Sequence, residues 1–147
     1  MNIQELIHNV EQWAEKRNLL HYENAPKQYL KFIEECGETA RAILKNDEDN
    51  IIDGFGDIAV TAIILAKQLK TELRSDFVDF GKYKKADFSW FVRKCSEKII
   101  SGDILEYISH VSNFYGYSLQ QCLNSAWNEI KDREGKTENG VFTKSVK

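Results

Sequence analysis

Five carboxylates in two short stretches are the residues of this chain best suited to chemistry. Glu34, Glu35 and Glu38 lie in KFIEECGETARAIL, and Asp53 and Asp57 lie in IIDGFGDIAVTAIILA. At about 100° per residue the three glutamates fall within an arc of roughly 100° on one helix, so they are neighbours. Asp53 and Asp57 are four residues apart and project from one side of a second helix, in line with Val60 and Ile64. An ionised carboxylate among such residues is costly unless it meets a cation or takes up a proton. No Lys or Arg lies within one turn of Asp57 in sequence. A hairpin folding the second helix onto the first would bring only more acid. A divalent cation resolves that repulsion. Hard ions such as Mg²⁺, with Mn²⁺ as an alternative, take oxygen ligands, and Mg²⁺ typically shares its shell with waters and substrate phosphates. The competing reading treats Glu34, Glu35 and Glu38 as a solvated helix face, as charge runs usually are. Asp57 inside an apolar run tips the choice toward a carboxylate-bound Mg²⁺ site between two antiparallel helices.

The elements that position these groups follow from periodicity. On the first helix Leu30, Ile33, Gly37, Ala40 and Leu44 recur at three- and four-residue steps and form one apolar or small-residue face. The loop NDEDN, residues 46–50, is short enough to force antiparallel neighbours, and Asn50 is a candidate cap for the next helix. That second helix is apolar on nearly every side and is expected to be buried. Gly54 and Gly56 weaken its start by up to about 1 kcal/mol each relative to Ala. Close approach of another backbone or of ligand phosphates would explain them, as would a loosely formed helix start.

Earlier in the chain, Ile3, Leu6, Ile7, Val10, Trp13 and Ala14 mark an amphipathic helix over residues 2–17. Trp13 is expected in the core, with its edge as a second candidate for stacking on a flat ligand. Pro26 suits the first turn of the following helix. Residues 72–87 lose periodicity and mix Phe77, Phe80 and Tyr83 with Lys82, Lys84 and Lys85. They read as an irregular connection pinned by its aromatics, or as a segment lying over an anionic ligand or another subunit. Helices are expected over 88–100 and, after the break Ser101-Gly102-Asp103, over ILEYISHVSNFYG. A last one over 117–134 turns Leu119, Cys122, Leu123, Ala126 and Ile130 inward. No strand is expected. The fold class is all-α, a helical bundle with the two antiparallel carboxylate-bearing helices at its centre, forming one domain over residues 1–147. Asn128, Lys131 and Arg133, followed by Lys136 and Lys144, are candidates for phosphate or sugar contacts, because an acidic metal site needs fixed positive groups to hold a polyphosphate. Lys31 is a further candidate for substrate binding. His8, His21 and His110 are scattered and receive no role.

A length of 147 residues suits one ordinary domain. The net charge of −3 and sequence pI near 5.7 do not point to nucleic acid or a membrane as partners. Cys36, Cys95 and Cys122 are far apart and lack CxxC spacing, so they read as thiols in a reducing compartment. MNIQELIHNVEQW has no basic segment followed by an apolar core, and the apolar stretch ending at Ala66 is too short to span a bilayer. The expectation is a cytoplasmic protein.

KFIEECGE, followed after a short loop by DGFGDIAVTAIILA, resembles the EExxE and ExxD helices of the MazG-like, all-α nucleoside triphosphate pyrophosphohydrolases. AWNEIKDREGKTENGVFTK is similar to the end of small members found in bacteria and their phages. The resemblance covers residues 5–70 and 118–144, and 72–100 is a middle segment that does not align. It implies Mg²⁺-dependent hydrolysis of a nucleoside or deoxynucleoside triphosphate to the monophosphate and pyrophosphate. By position it implies Glu35 and Glu38 as first-motif metal ligands, Glu34 as the residue that orients or deprotonates the water, and Asp57 as the second-motif Asp. Gly54 departs from the pattern, which has Glu there, and Asp53 is the proposed substitute. The resemblance further implies nucleotide contacts from Asn128 and Lys131, and a homodimer or homotetramer with sites near subunit interfaces. The alternatives are a phosphoribosyl-ATP pyrophosphohydrolase-like enzyme and a non-catalytic helical interaction protein. No GxSxG, HExxH or phosphate-binding Gly loop offers another chemistry.

Overall fold

The computed structural model describes residues 1–81 and 84–145. Six helices account for most of them: α1 Ile3–Lys16, α2 Ala25–Leu44, α3 Glu48–Gln68, α4 Phe88–Ser101, α5 Ile104–Phe114 and α6 Leu119–Ile130. The starts of α1, α3, α4 and α6 carry capping side chains, which satisfy amide groups that the first turn leaves without partners. Asn2 accepts from the Glu5 amide at 2.8 Å, Asp87 from Trp90 at 2.9 Å and Ser118 from Gln121 at 3.0 Å. Pro26 stands in the first turn of α2, where its missing N–H is harmless. Gly102, with φ of 85°, ends α4 in the left-handed conformation.

The central helix is α3. Phe55, Ile58, Ala59, Ala62, Ile63 and Leu65 are buried, and α2, α6, α1 and α5 all pack on it. An element apolar on nearly all sides can be stable only when surrounded, and here it is. Its cap is Asp47, which accepts from the Asn50 backbone amide at 3.4 Å. Asn50 is therefore not the cap: the connection is tighter than NDEDN suggests, and Glu48 already belongs to the helix.

Both glycines of α3 mark close helix approach. A Cβ on Gly54 would collide with the Thr39 side chain of α2, and one on Gly56 with the Cys122 carbonyl of α6. The same contact orients α2. Phe32, Thr39 and Ala42 face inward, whereas Leu30, Ile33 and Leu44 are 66%, 52% and 84% exposed. The apolar stripe legible in the sequence thus points to solvent, because the face seated on α3 is the one carrying Thr39.

The segment after α3 is irregular, as its lost periodicity implies. Lys82 and Tyr83 of the proposed aromatic and basic cluster lie outside the described residues. Phe77 packs against the core, as an aromatic pin would, whereas Phe80 is 78% exposed and pins nothing. A polar anchor is Asp79, which accepts from Ser109 Oγ at 2.6 Å and from the Leu119 and Gln120 amides at 2.7 and 2.8 Å, so it ties this segment to α5 and to the start of α6.

The chain also contains strands where none is expected. The last helix ends at Ile130, and β1 Gly135–Glu138 pairs antiparallel with β2 Val141–Lys144. Asn139 and Gly140 join them with φ of 52° and 78°. Such residues tolerate positive φ, and Asn-Gly is a strong hairpin signal that helix periodicity overlooks. No helix among the described residues is long and apolar enough to cross a membrane.

Candidate active site

Close packing of α2 on α3 brings the carboxylates together. Glu34, Glu35, Glu38 and Asp57 line one cleft of about 530 Å³, whose other walls come from α1, α6 and β2. Its apolar part consists of Trp13, Leu19, Val60, Ile64, Ile130, Val141 and Phe142. A second cavity of about 270 Å³ adjoins it, since Glu38 and Asp57 line both. Arg41, Lys45, Asp47, Asn50 and Asp53 supply the other polar groups of the second cavity.

Burial sets the electrostatics. Glu35 is pushed up to about 7, first by desolvation and then by the negative fields of Asp57 and Glu38. Its Oε2 is buried and accepts no hydrogen bond. Asp57 is also raised to about 7 by burial, with further contributions from Glu129 and Asp53. Arg133 opposes that rise but forms no ion pair with Asp57; its recorded partner is Glu129, at 3.9 Å. Lys31 binds Glu34 Oε1 at 2.6 Å, which raises the lysine's own pKa. Asp53 Oδ1 accepts a hydrogen bond from Ser125 Oγ at 2.7 Å.

The remaining sequence candidates divide. Trp13 is buried as expected of a core residue, donates its Nε1–H to the Ile130 carbonyl at 3.0 Å and also lines the cleft. Arg133 reaches the cleft, but Asn128 and Lys131 are exposed and do not line it. Ala126 and Ile130 set the inward face of α6, and Asn128, two residues from each, points the opposite way. Four groups escaped the sequence reading. Glu129 lies one turn after Ser125, so α6 faces Asp53 with one and Asp57 with the other. Arg41 and Lys45 repeat at helical spacing from Glu38, a signal hidden by attention to the acids. Phe142 belongs to the unforeseen hairpin.

No metal-cage arrangement of three or more His, Cys, Asp or Glu side chains exists among the described residues. The donors nevertheless fit Mg²⁺, which usually takes one or two carboxylates and completes its shell with water and phosphate. The orphaned Glu35 oxygen beside Asp57 is the observation that favours such an ion.

A cleft with a carboxylate wall, an apolar end and flanking cations defines the site class, one suited to a polyanion joined to a flat organic group. Residues 24–83 match the family model of the MazG nucleotide pyrophosphohydrolase domain. The matched segment holds both carboxylate helices, α2 and α3. It is also 48% identical over 67 residues to an "Uncharacterized 18.2 kDa protein in rep-hol intergenic region" of Haemophilus phage HP1 (strain HP1c1). That alignment covers 46% of this chain and 41% of the relative, so the chain spans less than half of the relative's length. No solved structure matches the chain significantly.

Proposed function

We propose that the protein is a Mg²⁺-dependent nucleoside triphosphate pyrophosphohydrolase, converting an NTP or dNTP and water to the monophosphate and pyrophosphate. The observation that carries this reading is the shared wall: Glu38 and Asp57 stand between an apolar-ended cleft and a cavity flanked by Arg41 and Lys45. A triphosphate laid across that wall puts its nucleoside against Trp13 and Phe142 and its terminal phosphates toward Arg41 and Lys45. Arg133 and Lys31 supply positive charge on the nucleoside side.

Glu35, Glu38, Asp53 and Asp57 are the residues that would hold Mg²⁺, which when bound neutralises phosphate charge and lowers the pKa of its water. Glu34 orients the attacking water and accepts its proton. Lys31 fixes the Glu34 carboxylate for that role. Water adds to phosphorus, the bridging P–O bond to the departing diphosphate breaks, and pyrophosphate leaves. Asp53 stands in for the Glu that the family pattern has at position 54, where Thr39 leaves no room for a side chain.

We also infer a homodimer or homotetramer assembled through α2. Leu30, Ile33 and Leu44 are exposed in a three-four spacing typical of helix seams, with Gly37 between them. Light scattering of the wild type and Ile33→Asp tests it: the wild type should exceed 17.0 kDa and the variant should fall to that mass.

The activity is tested by pyrophosphate release from a panel of canonical, deoxy and modified NTPs, with and without Mg²⁺, beside Glu38→Gln. Metal-dependent release that is lost in the variant supports the enzyme. Nucleotide binding without turnover would favour a non-catalytic protein, with Gly54 as its structural basis.

A further inference from the structure

The second strand turns its edge, not a face, to the cleft. Side chains alternate along a strand, so Val141 and Thr143 lie on one face and Phe142 and Lys144 on the other. All four nevertheless line the cleft, and no residue of β1 does. The turn determines which backbone groups lie along that edge. A two-residue loop makes its flanking residues, Glu138 and Val141, a hydrogen-bonded pair. Rungs then alternate: Thr137–Phe142 is non-bonded, Lys136–Thr143 bonded and Gly135–Lys144 non-bonded. The next bonded rung appears where Ser145 N donates to the Glu134 carbonyl at 2.7 Å. Phe142 and Lys144 therefore direct their N–H and C=O groups away from β1.

Several contacts hold the hairpin in this pose. Thr137 Oγ1 donates to the Arg17 carbonyl at 2.6 Å, and Lys27 Nζ to the Asn139 carbonyl at 2.8 Å. The Phe142 ring meets Trp13 edge-on with centroids 5.1 Å apart, and the Arg17 guanidinium lies over both rings. Among the described residues neither the Phe142 N–H nor its C=O has a partner beyond β1, so beside this aromatic wall they call for water or a ligand.

We propose that the open edge of β2 reads the nucleobase. The N–H and C=O of Phe142 pair with an adjacent acceptor and donor on the base, as an added strand would, while Phe142 and Trp13 supply the aromatic wall. The ligand is thus a planar heterocycle with neighbouring hydrogen-bond donor and acceptor, and the contact is to main chain. This proposal rests on the nucleotide reading above and assigns its base-recognition element.

The test compares Phe142→Ala with Phe142→Pro. Both remove the ring, but only proline removes the amide, and that amide serves no rung of the hairpin. With the canonical NTP of lowest KM, Phe142→Ala should raise KM about tenfold, and Phe142→Pro about three- to tenfold further, the effect of one hydrogen bond. Inhibition by inorganic tripolyphosphate, which has no base, should be unchanged in both. Equal KM values for the two variants, or equal loss of tripolyphosphate and NTP affinity, would overturn the proposal. A second measurement uses the wild type with a non-hydrolysable NTP analogue. The Phe142 amide should become protected from hydrogen exchange with the analogue and not with tripolyphosphate; no protection by the analogue would also overturn it. If tripolyphosphate binds and no NTP or analogue does, the nucleotide reading itself fails and the edge assignment falls with it.

Discussion

The helix pair α2–α3 and the hairpin β1–β2, which reaches it through β2 alone, bound one cleft and are built on opposite principles. In the helix pair, packing comes first. Thr39 fits against Gly54, Phe55 and Ile58 are fully buried, and the carboxylates are held where neither charge nor neutrality is comfortable near pH 7. The strand pair buries little and is held by a few side-chain hydrogen bonds and one aromatic contact. The rigid pair is suited to fixed charge, and the lightly held pair to a wall that fits a ligand. Changes in the first should therefore alter chemistry or folding, and changes in the second should alter binding alone.

The largest expected effect is on chemistry. Asp57→Asn should reduce pyrophosphate release about a hundredfold or more, the scale of removing one charge-stabilising group from a catalytic site. A helical circular dichroism spectrum equal to the wild type's would confirm that the loss is chemical. A side chain at Gly54 comes next. Gly54→Glu should lower stability by about 1–3 kcal/mol through overpacking against Thr39, and urea unfolding measures it. Thr39→Gly in the same chain should recover part of the loss; a Gly54→Glu protein as stable as wild type would show that α2 and α3 can part.

In the hairpin, Gly140→Ala puts a Cβ at φ of 78° against Asn24. It should weaken the local structure by about 1 kcal/mol, seen as faster proteolysis within 135–144, with no change in the melting of the helical signal. The smallest effect is in pH dependence. A carboxylate raised in the folded state keeps its proton longer there than in the unfolded chain, where Asp ionises near 4. Without metal, Asp57 should destabilise the fold progressively as pH rises from about 4 to about 7, and fully above that. Asp57→Asn should thus be more stable than wild type at pH 8, with the gap closing near pH 4.

The same comparison explains what could be read from residues alone. Apolar residues on all sides of IAVTAIILA require burial, and α3 is buried; Leu119, Cys122, Leu123, Ala126 and Ile130 turn inward as their spacing implies. Glu34, Glu35 and Glu38 fall on one side of α2, and Asp53 and Asp57 on one side of α3, because helical spacing is local information; Asp53 nevertheless lines only the adjoining cavity. Which face of α2 meets α3 is not local. It depends on Thr39 filling the space at Gly54, so the more apolar stripe through Leu30 and Ile33 was left outside. Glu129, Arg41 and Lys45 acquire meaning only once α6 and the α2–α3 turn are in place. The hairpin was legible at Asn139-Gly140, but a reading tuned to the helical period passed over it.

The central claim is that this cleft splits a nucleoside triphosphate into monophosphate and pyrophosphate. The most direct measurement is ³¹P NMR of an NTP incubated with the protein and Mg²⁺. The account predicts growing monophosphate and pyrophosphate signals in equal amounts, with no diphosphate intermediate. Formation of nucleoside diphosphate and inorganic phosphate, or no change across the NTP panel, would contradict it.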